Sequence, residues 1–303
     1  MSATSRQLLS RAALPLLRSG DKLLDRLADT VGDASRTVKF LRGRASFDAR
    51  PDDVWVASYP RSGTTWTQVI AYLIVTGETE FHFRHLAEVS PWWERSLAHR
   101  EDAVAELRAM ATPRVLKTHL PYGWLPAGAR YLYVWRNPED VAVSYYHLYR
   151  RYLGYDGAFE DFFERFLRGD VQYKSWFRHV AGWRAHEGDP RVLFIPYDEM
   201  RAETPQWVRR IADFLGVTLS DARCDEIVKQ TDFGSMKAAE DKFDFASELA
   251  MQRRIAEGAF LREGKVRRGE GYLSDEQRAT LERERSRQVP LPAVEWRLPS
   301  FLH

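Results

Sequence analysis

The 303-residue chain holds a single cysteine, Cys224. An intrachain disulfide and a cysteine-based metal cluster are therefore excluded, and this usage fits a reducing compartment and a cytoplasmic location. Charge of one sign is not in excess either: 45 Lys and Arg against 43 Asp and Glu leave a net charge of +2. A balance so close to neutral argues against nucleic acid as the principal partner, although clustered basic residues can still hold a polyanionic nucleotide locally. No apolar run reaches the ~20 residues of a transmembrane helix, and the unbroken apolar core of a secretory signal is missing. The triphosphate loop G-x-x-x-x-G-K-[ST] is absent. No internal repeat or low-complexity linker is found.

What is present is 44% hydrophobic and 29% charged, the make-up of a globular protein with ample core material. The length accommodates one large α/β domain or two small ones. Ten Trp, thirteen Tyr and sixteen Phe suit a site that stacks a base and an aromatic acceptor. Residues 1–45 stand apart from the rest. Leu8, Leu9, Ala12, Leu16, Leu17, Leu23, Leu24, Leu27 and Val31 recur at roughly helical spacing with Arg and Lys between them. We expect a helical, amphipathic N-terminal extension that packs on the main domain (46–303) or on a second subunit, the alternative being weak association with a membrane surface. Oligomeric state stays open.

The chain is organised around residues 59–66, YPRSGTTW. An apolar run rich in strand formers, Val54 to Ser58, precedes them, and an apolar segment long enough for a buried helix follows. Strand, tight polar turn and helix together make a phosphate cradle. Pro60 and Gly63 shape the turn so that backbone N–H groups approach an anion closely. The open helix end adds unpaired donors and partial positive charge. Ser62, Thr64 and Thr65 supply hydroxyls, and Arg61 supplies a forked, permanently charged donor. The plain alternative is an ordinary strand-to-helix turn with a capping hydroxyl. Because the cation precedes the glycine and no acidic residue is obviously placed for magnesium, the bound phosphate is not expected to be a metal-bound triphosphate.

Further on, an aromatic-rich loop carries Phe81, Phe83, Trp92 and Trp93. Such loops commonly cover a core; the alternative is a wall of an acceptor pocket. Residues 115–121, VLKTHLP, form a short strand ending at a proline. Lys117 and His119 alternate along it and project the same way, toward the carboxyl edge where open parallel sheets bind ligands. A third strand, 131–135, runs into Arg136-Asn137-Pro138-Glu139-Asp140, where Asn137 suits an N-cap and Pro138 a first helical turn. From Phe159 to Trp183 apolar and aromatic residues recur at helical spacing, mostly as core. Residues 191–200 give a fourth strand and turn, and Gly216 is placed to end an amphipathic helix. From Asp275 the chain is highly charged and expected to form a solvated helix.

Residues 59–66 closely resemble the 5′-phosphosulfate loop of the cytosolic sulfotransferases, Y-P-K-S-G-T-T-W. Arg61 stands where that family most often has lysine, and the other seven positions agree. Lys117-Thr118-His119-Leu120-Pro121 resembles the family's second motif, whose histidine is its general base. Residues 136–146, RNPEDVAVSYY, are similar to a third motif, implying that Arg136 and Ser144 grip the nucleotide's 3′-phosphate. Tyr197 resembles the adenine-contacting tyrosine. Residues 229–237 resemble the T-S-F-x-x-M-K segment, with Asp232 where serine is common, which implies that Thr231, Phe233 and Met236 contact or support the base while Trp66 offers it a face. Residues 260–269 depart most. Arg262 and Gly264 match the family's R-K-G, Glu263 replaces the lysine, and the tryptophan of G-D-W-K is absent. The K-x-x-x-T-V-x-x-x-E dimer segment is absent too.

The resemblance spans roughly residues 52–275. It implies a single α/β domain with a parallel sheet flanked by helices, the three-layer, P-loop NTPase-like architecture. The implied activity is sulfuryl transfer from 3′-phosphoadenosine 5′-phosphosulfate (PAPS), without a metal, to the hydroxyl or amine of a small acceptor, a phenol or hydrophobic alcohol, leaving adenosine 3′,5′-bisphosphate (PAP). His119 is then the base, Arg61 and Lys117 stabilise the departing phosphate, and Phe81, Phe83, Trp92, Trp93 and Tyr146 border the acceptor. Two rivals are a magnesium-dependent phosphoryl transferase and a catalytically silent nucleotide-binding module.

Overall fold

A computed structural model describes residues 34–243 and 271–289. These residues fall into two compact units, one comprising 34–48 and 94–109, the other the remainder. In the smaller unit, helix α1 (34–45) is joined to the later segment by an ion pair between Lys39 and Glu101 and by a 2.8 Å pair between Arg108 and Asp48. Gly43 lies against Leu97, where an added Cβ would come within 2.9 Å of the leucine side chain.

The larger unit is built on a four-stranded sheet: β1 (Val54–Ser58), β2 (Val115–Thr118), β3 (Arg130–Trp135) and β4 (Val192–Pro196). The strand order is β2-β1-β3-β4, and all three pairings are parallel. Every residue of β1 and β2 is buried, as expected of strands covered on both faces. Helix α2 (Thr64–Thr76) follows β1; α3 (Trp93–His99) and α4 (Ala103–Ala109), which apart from Trp93 belong to the smaller unit, precede β2 in the chain. Helices α5 (Pro138–Tyr152), α6 (Phe159–Arg168) and α7 (Trp176–Arg184) separate β3 from β4. Then come α8 (Tyr197–Ala202), α9 (Thr204–Leu215), α10 (Asp221–Gln230), α11 (Phe233–Ala238) and α12 (Asp275–Gln288).

Alternation along the strands divides the core. Val54 and Val56, Leu132 and Val134, and Leu193 and Ile195 pack with Val69, Ile70 and Leu73 of α2 and with Trp207 and Ile211 of α9. The intervening Trp55 and Tyr133 meet Trp93 and Trp183 instead. A second cluster joins Tyr59 to Tyr145, Phe162, Phe166, Trp176 and Leu281 from α5, α6, α7 and α12. The architecture is therefore helix–sheet–helix, as the sequence implies. The apolar spacing between residues 159 and 183 is split into two helices by a break at 169–175, where Gly169 is left-handed (φ 75°) and abuts the Ser175 backbone. The order β2-β1-β3 makes the chain leave β1 in opposite directions. The crevice beyond β1 and β3 is thus where such a sheet binds ligands.

Candidate functional site

The loop between β1 and α2 occupies that crevice. Its turn needs left-handed backbone at Arg61 (φ 70°) and at Gly63 (φ 102°), which is the N-cap of α2. Gly63 is required twice over, since an added Cβ would stand 2.5 Å from Cδ2 of Tyr197. The first-turn N–H groups of α2 have no preceding helical carbonyls to bond, and no side chain caps them. Ser62 Oγ is buried and has no hydrogen-bond partner, an arrangement that costs free energy unless a ligand atom completes it. Thr64 Oγ1 lies 2.6 Å from Ser58 Oγ.

Arg61 turns across the loop, and its Nε donates to Ser144 Oγ at 3.0 Å. That bond brings together the cation expected at the 5′ end of the nucleotide and the hydroxyl expected at its 3′-phosphate. Arg136, at the exit of β3, is buried and pairs with Asp140 at 3.0 Å, while its guanidinium lies 4.4 Å from the centre of the Tyr197 ring. The sequence sets this geometry. Asn137 caps α5 by accepting from Glu139 N at 2.9 Å with Pro138 in the first turn, so Arg136 is held where strand becomes helix.

Tyr197, Trp66 and Thr231 converge beside Gly63. The rings of Trp66 and Tyr197 meet edge to face with centroids 5.9 Å apart. Trp66 Nε1 donates to the Thr231 carbonyl at 2.8 Å. Asp232 takes the N-cap of α11, its side chain accepting from Ser235 N at 2.9 Å. Met236 is then buried and Phe233 left exposed. The hydroxyl orphan, the Cβ-intolerant glycine, the cation and the aromatic walls fit a bisphosphorylated adenine nucleotide. Arg262 and Gly264 lie outside the described residues.

His119 sits just past the end of β2, buried beside the loop. Its Nδ1 is 2.8 Å from the Ser58 carbonyl oxygen and 3.4 Å from Ser58 Oγ. A carbonyl only accepts, so Nδ1 carries the hydrogen. Burial, with the neighbouring Lys117 ammonium adding to it, drives the imidazole well below the usual histidine range. The ring is therefore neutral and its lone pair is on Nε2. Lys117 is buried too, its Nζ 3.8 Å from the centre of the Trp92 ring. Trp92 reaches this position because its segment extends the sheet: Lys117 N donates to the Pro91 carbonyl at 2.9 Å.

Of the aromatics expected around an acceptor, Trp92 meets the His119 ring edge to face at 5.1 Å. Phe83 is packed with Tyr72 and Phe243, and Phe81 with Phe83 and Phe243. Trp93 is buried against Trp55, and Tyr146 against Phe159 and Phe162. The sequence reading missed Tyr173, whose ring lies 5.2 Å from that of His119 and 6.3 Å from that of Trp92. Tyr173 and Lys174 are both left-handed, at φ 63° and 61°. Three tyrosines strap them: Tyr59 donates to the Lys174 carbonyl at 2.8 Å, Tyr145 to the Gln172 carbonyl at 2.7 Å, and Tyr149 accepts from Gln172 N at 2.7 Å. Periodicity assigns Tyr173 to core, and no local signal marks it. Ser58, also missed, ends the strand that feeds the loop. Among the described residues no group of three or more His, Cys, Asp or Glu is placed to hold a metal ion, and no helix is long and apolar enough to cross a membrane.

Known proteins resemble this chain in sequence and in fold. Residues 51–286 match the family described as Sulfotransferase domain. Sulfotransferase 1C2 of Oryctolagus cuniculus is 38% identical over 201 residues, 63% of this chain and 68% of its own. Sulfotransferase 1E1 of Homo sapiens is 36% identical over 213 residues, 66% and 71% of the two chains. Among solved structures, retinol dehydratase in complex with androsterone and the inactive cofactor PAP superposes with a TM-score of 0.73 at 25% identity, covering 86% of this chain and 87% of that one. Mouse sulfotransferase SULT7A1 complexed with PAP gives 0.69 at 29% identity, covering 84% and 90%.

Proposed function

The chain belongs to the sulfotransferase family and is a PAPS-dependent enzyme that transfers a sulfuryl group to a small acceptor, and from that premise we propose that His119 is its general base. The observation that carries this reading is the bond from His119 Nδ1 to the Ser58 carbonyl at 2.8 Å, which leaves the lone pair on Nε2. A neutral imidazole at the exit of β2, beside Lys117 and the phosphate loop, is equipped to accept the proton an acceptor hydroxyl gives up.

PAPS, when bound, supplies an activated sulfuryl group whose leaving group is a phosphate. This chain's residues do the rest. Ser62, Gly63, Thr64 and Thr65 hold the 5′ end through backbone N–H and hydroxyl groups. Arg61 and Lys117 neutralise charge gathering on the departing phosphate. Arginine at position 61 is not readily deprotonated, so its contribution is electrostatic. Arg136 and Ser144 hold the 3′-phosphate, with Arg262 and Gly264 as further contacts. Trp66, Tyr197, Thr231, Phe233 and Met236 enclose the adenine. Trp92 and Tyr173 border the imidazole and favour a phenol or hydrophobic alcohol as acceptor; retinol dehydratase has been solved with androsterone and with retinol, both hydrophobic. Phe81, Phe83, Trp93 and Tyr146 support the acceptor pocket through the core contacts they make. Residues 46–303 make up the catalytic domain in this reading, with 1–45 a helical extension, and the enzyme works in the cytoplasm.

His119→Ala should abolish turnover while PAP binding persists by calorimetry; retained turnover removes His119 as base. Transfer should survive EDTA, since no step above uses a metal. A magnesium-dependent phosphoryl transferase would lose activity to the chelator, and a silent module would bind PAP without turnover.

A further inference from the structure

We propose that His179, in α7, is a positioning residue that clamps the backbone carrying the general base. The proposal rests on the reading of His119 given above and adds a residue that neither motif nor likeness assigns to the reaction. His179 is 3% exposed, and both of its ring nitrogens are used. Nε2 lies 3.0 Å from the carbonyl oxygen of His119; because a carbonyl accepts, Nε2 carries the hydrogen. Nδ1 lies 3.1 Å from the hydroxyl of Tyr133 in β3. Burial pushes the His179 imidazolium down to about 4, so at neutral pH the ring holds one proton and Nδ1 accepts from Tyr133. Burial also raises the Tyr133 hydroxyl well above its usual range, so it stays a donor. One tautomer is thereby selected.

The clamp acts where the sheet ends. β2 stops at Thr118, so the carbonyls of His119 and Leu120 lie beyond the paired strand. α7 takes both: His179 donates to the first, and Trp183 Nε1 donates to the second at 3.2 Å. His119 is thus anchored by its side chain to β1, through Ser58, and by its backbone to α7. The His179 ring is itself fixed, stacked at 5.8 Å on Tyr133 and edge-on at 5.5 Å to Tyr59 of the phosphate loop. A base whose Nε2 must meet an acceptor proton within hydrogen-bond reach depends on such an anchor.

The test compares His179→Leu, His179→Gln and Tyr133→Phe. His179→Leu removes the donor, and kcat should fall on the order of 10²-fold, the scale of a 1 Å misplacement. Its Kd for PAP should be unchanged. His179→Gln, whose amide N–H reaches a similar point, should recover most of kcat; a merely space-filling role predicts no such rescue. Nitrogen-15 NMR should show the Nε2–H tautomer at His179 and the Nδ1–H tautomer at His119, with Nε2–H kept at His179 in Tyr133→Phe, where the His119 carbonyl still selects it. A folded His179→Leu variant with wild-type kcat, or a Gln variant as slow as the Leu variant, overturns the clamp. Should His179→Leu fail to fold, the tautomer decides: a His179 that carries its hydrogen on Nδ1, in the wild type or in Tyr133→Phe, cannot donate to the His119 carbonyl and overturns the clamp. An inactive His119→Ala beside a fully active His179→Leu sinks the clamp alone, whereas an active His119→Ala removes the base and the clamp together.

Discussion

Gly63 lies so close beneath the ring of Tyr197 that a Cβ added to it would stand 2.5 Å from Cδ2. The same glycine has φ 102°, a conformation other residues reach only at a cost of about 1–3 kcal/mol. Gly63→Ala should therefore displace either the phosphate loop or the tyrosine expected at the adenine. Calorimetry with PAP should show at least ~10-fold weaker binding, the equivalent of about 1.4 kcal/mol. Wild-type affinity in that variant would mean that the loop and Tyr197 do not form one nucleotide site.

The two buried histidines give stability a pH dependence of definite sign. Burial and then Lys117 hold His119 well below the ordinary histidine range, and burial holds His179 at about 4. In the unfolded chain both titrate near their ordinary value of about 6.5. As pH falls below that value the unfolded state binds protons that the folded state refuses, so stability drains with falling pH down to the folded values. Each such proton costs about 1.4 kcal/mol per pH unit. Chemical denaturation at pH 7.5 and 5.5 should show a loss on the order of 2 kcal/mol from the pair. A denaturation midpoint that does not move between these values contradicts burial of the neutral rings. The acid limb of the kcat profile should likewise fall below pH 6.5, where His119 finally protonates.

Arg61 donates from Nε to Ser144 at 3.0 Å, so one side chain faces both ends of the proposed nucleotide site. Arg61→Met removes the charge and should lower kcat about 10²–10³-fold, the scale of losing one preorganised donor to a developing negative charge. Arg61→Lys keeps the charge and should keep most of kcat, losing instead the Ser144 bond. Steady-state kinetics decide: equal losses in both variants would point to the forked geometry rather than the charge.

Much of this site is local in sequence, and that part was readable. Pro60, Gly63 and the hydroxyl run announce a turn into α2, Asn137 and Pro138 announce the start of α5, and Lys117 and His119 share a side of an extended segment. What could not be read is what the topology brings in from afar. Tyr173 reaches His119 only because three tyrosines from β1's exit and α5 hold residues 172–174 in place, and helical spacing alone labels it core. His179 looks like any histidine on an apolar helix face until β3 sets Tyr133 beside it. For Phe83 and Trp93 the sequence leaves core cover and pocket wall both open, and Tyr146 enters only through the resemblance, because composition cannot say which side of a segment is buried. Their ring contacts lie with Tyr72, Trp55 and Phe162.

At the far end of the sheet, Asp53 and Arg114 form an ion pair that carries stability without touching the chemistry. Arg114 Nε donates to Oδ1 at 2.7 Å and Nη2 to Oδ2 at 2.6 Å, with both side chains at most 1% exposed. Oδ2 also accepts from Arg50 N at 2.8 Å. The pair locks the entrances of β1 and β2, where Val54 N donates to the Arg114 carbonyl at 2.8 Å. Arg114→Met leaves a carboxylate buried without its cation and should cost about 3–5 kcal/mol. Replacing both, Asp53→Leu with Arg114→Met, should recover most of that loss, because a buried pair exchanged for apolar groups is often neutral. In every variant kcat should be unchanged at temperatures where the protein is folded, since the loop at the opposite strand ends is untouched. Denaturation curves for the two singles and the double close the cycle: additive losses would show that the pair is not coupled, and a fall in kcat would show that strain reaches the site along β1.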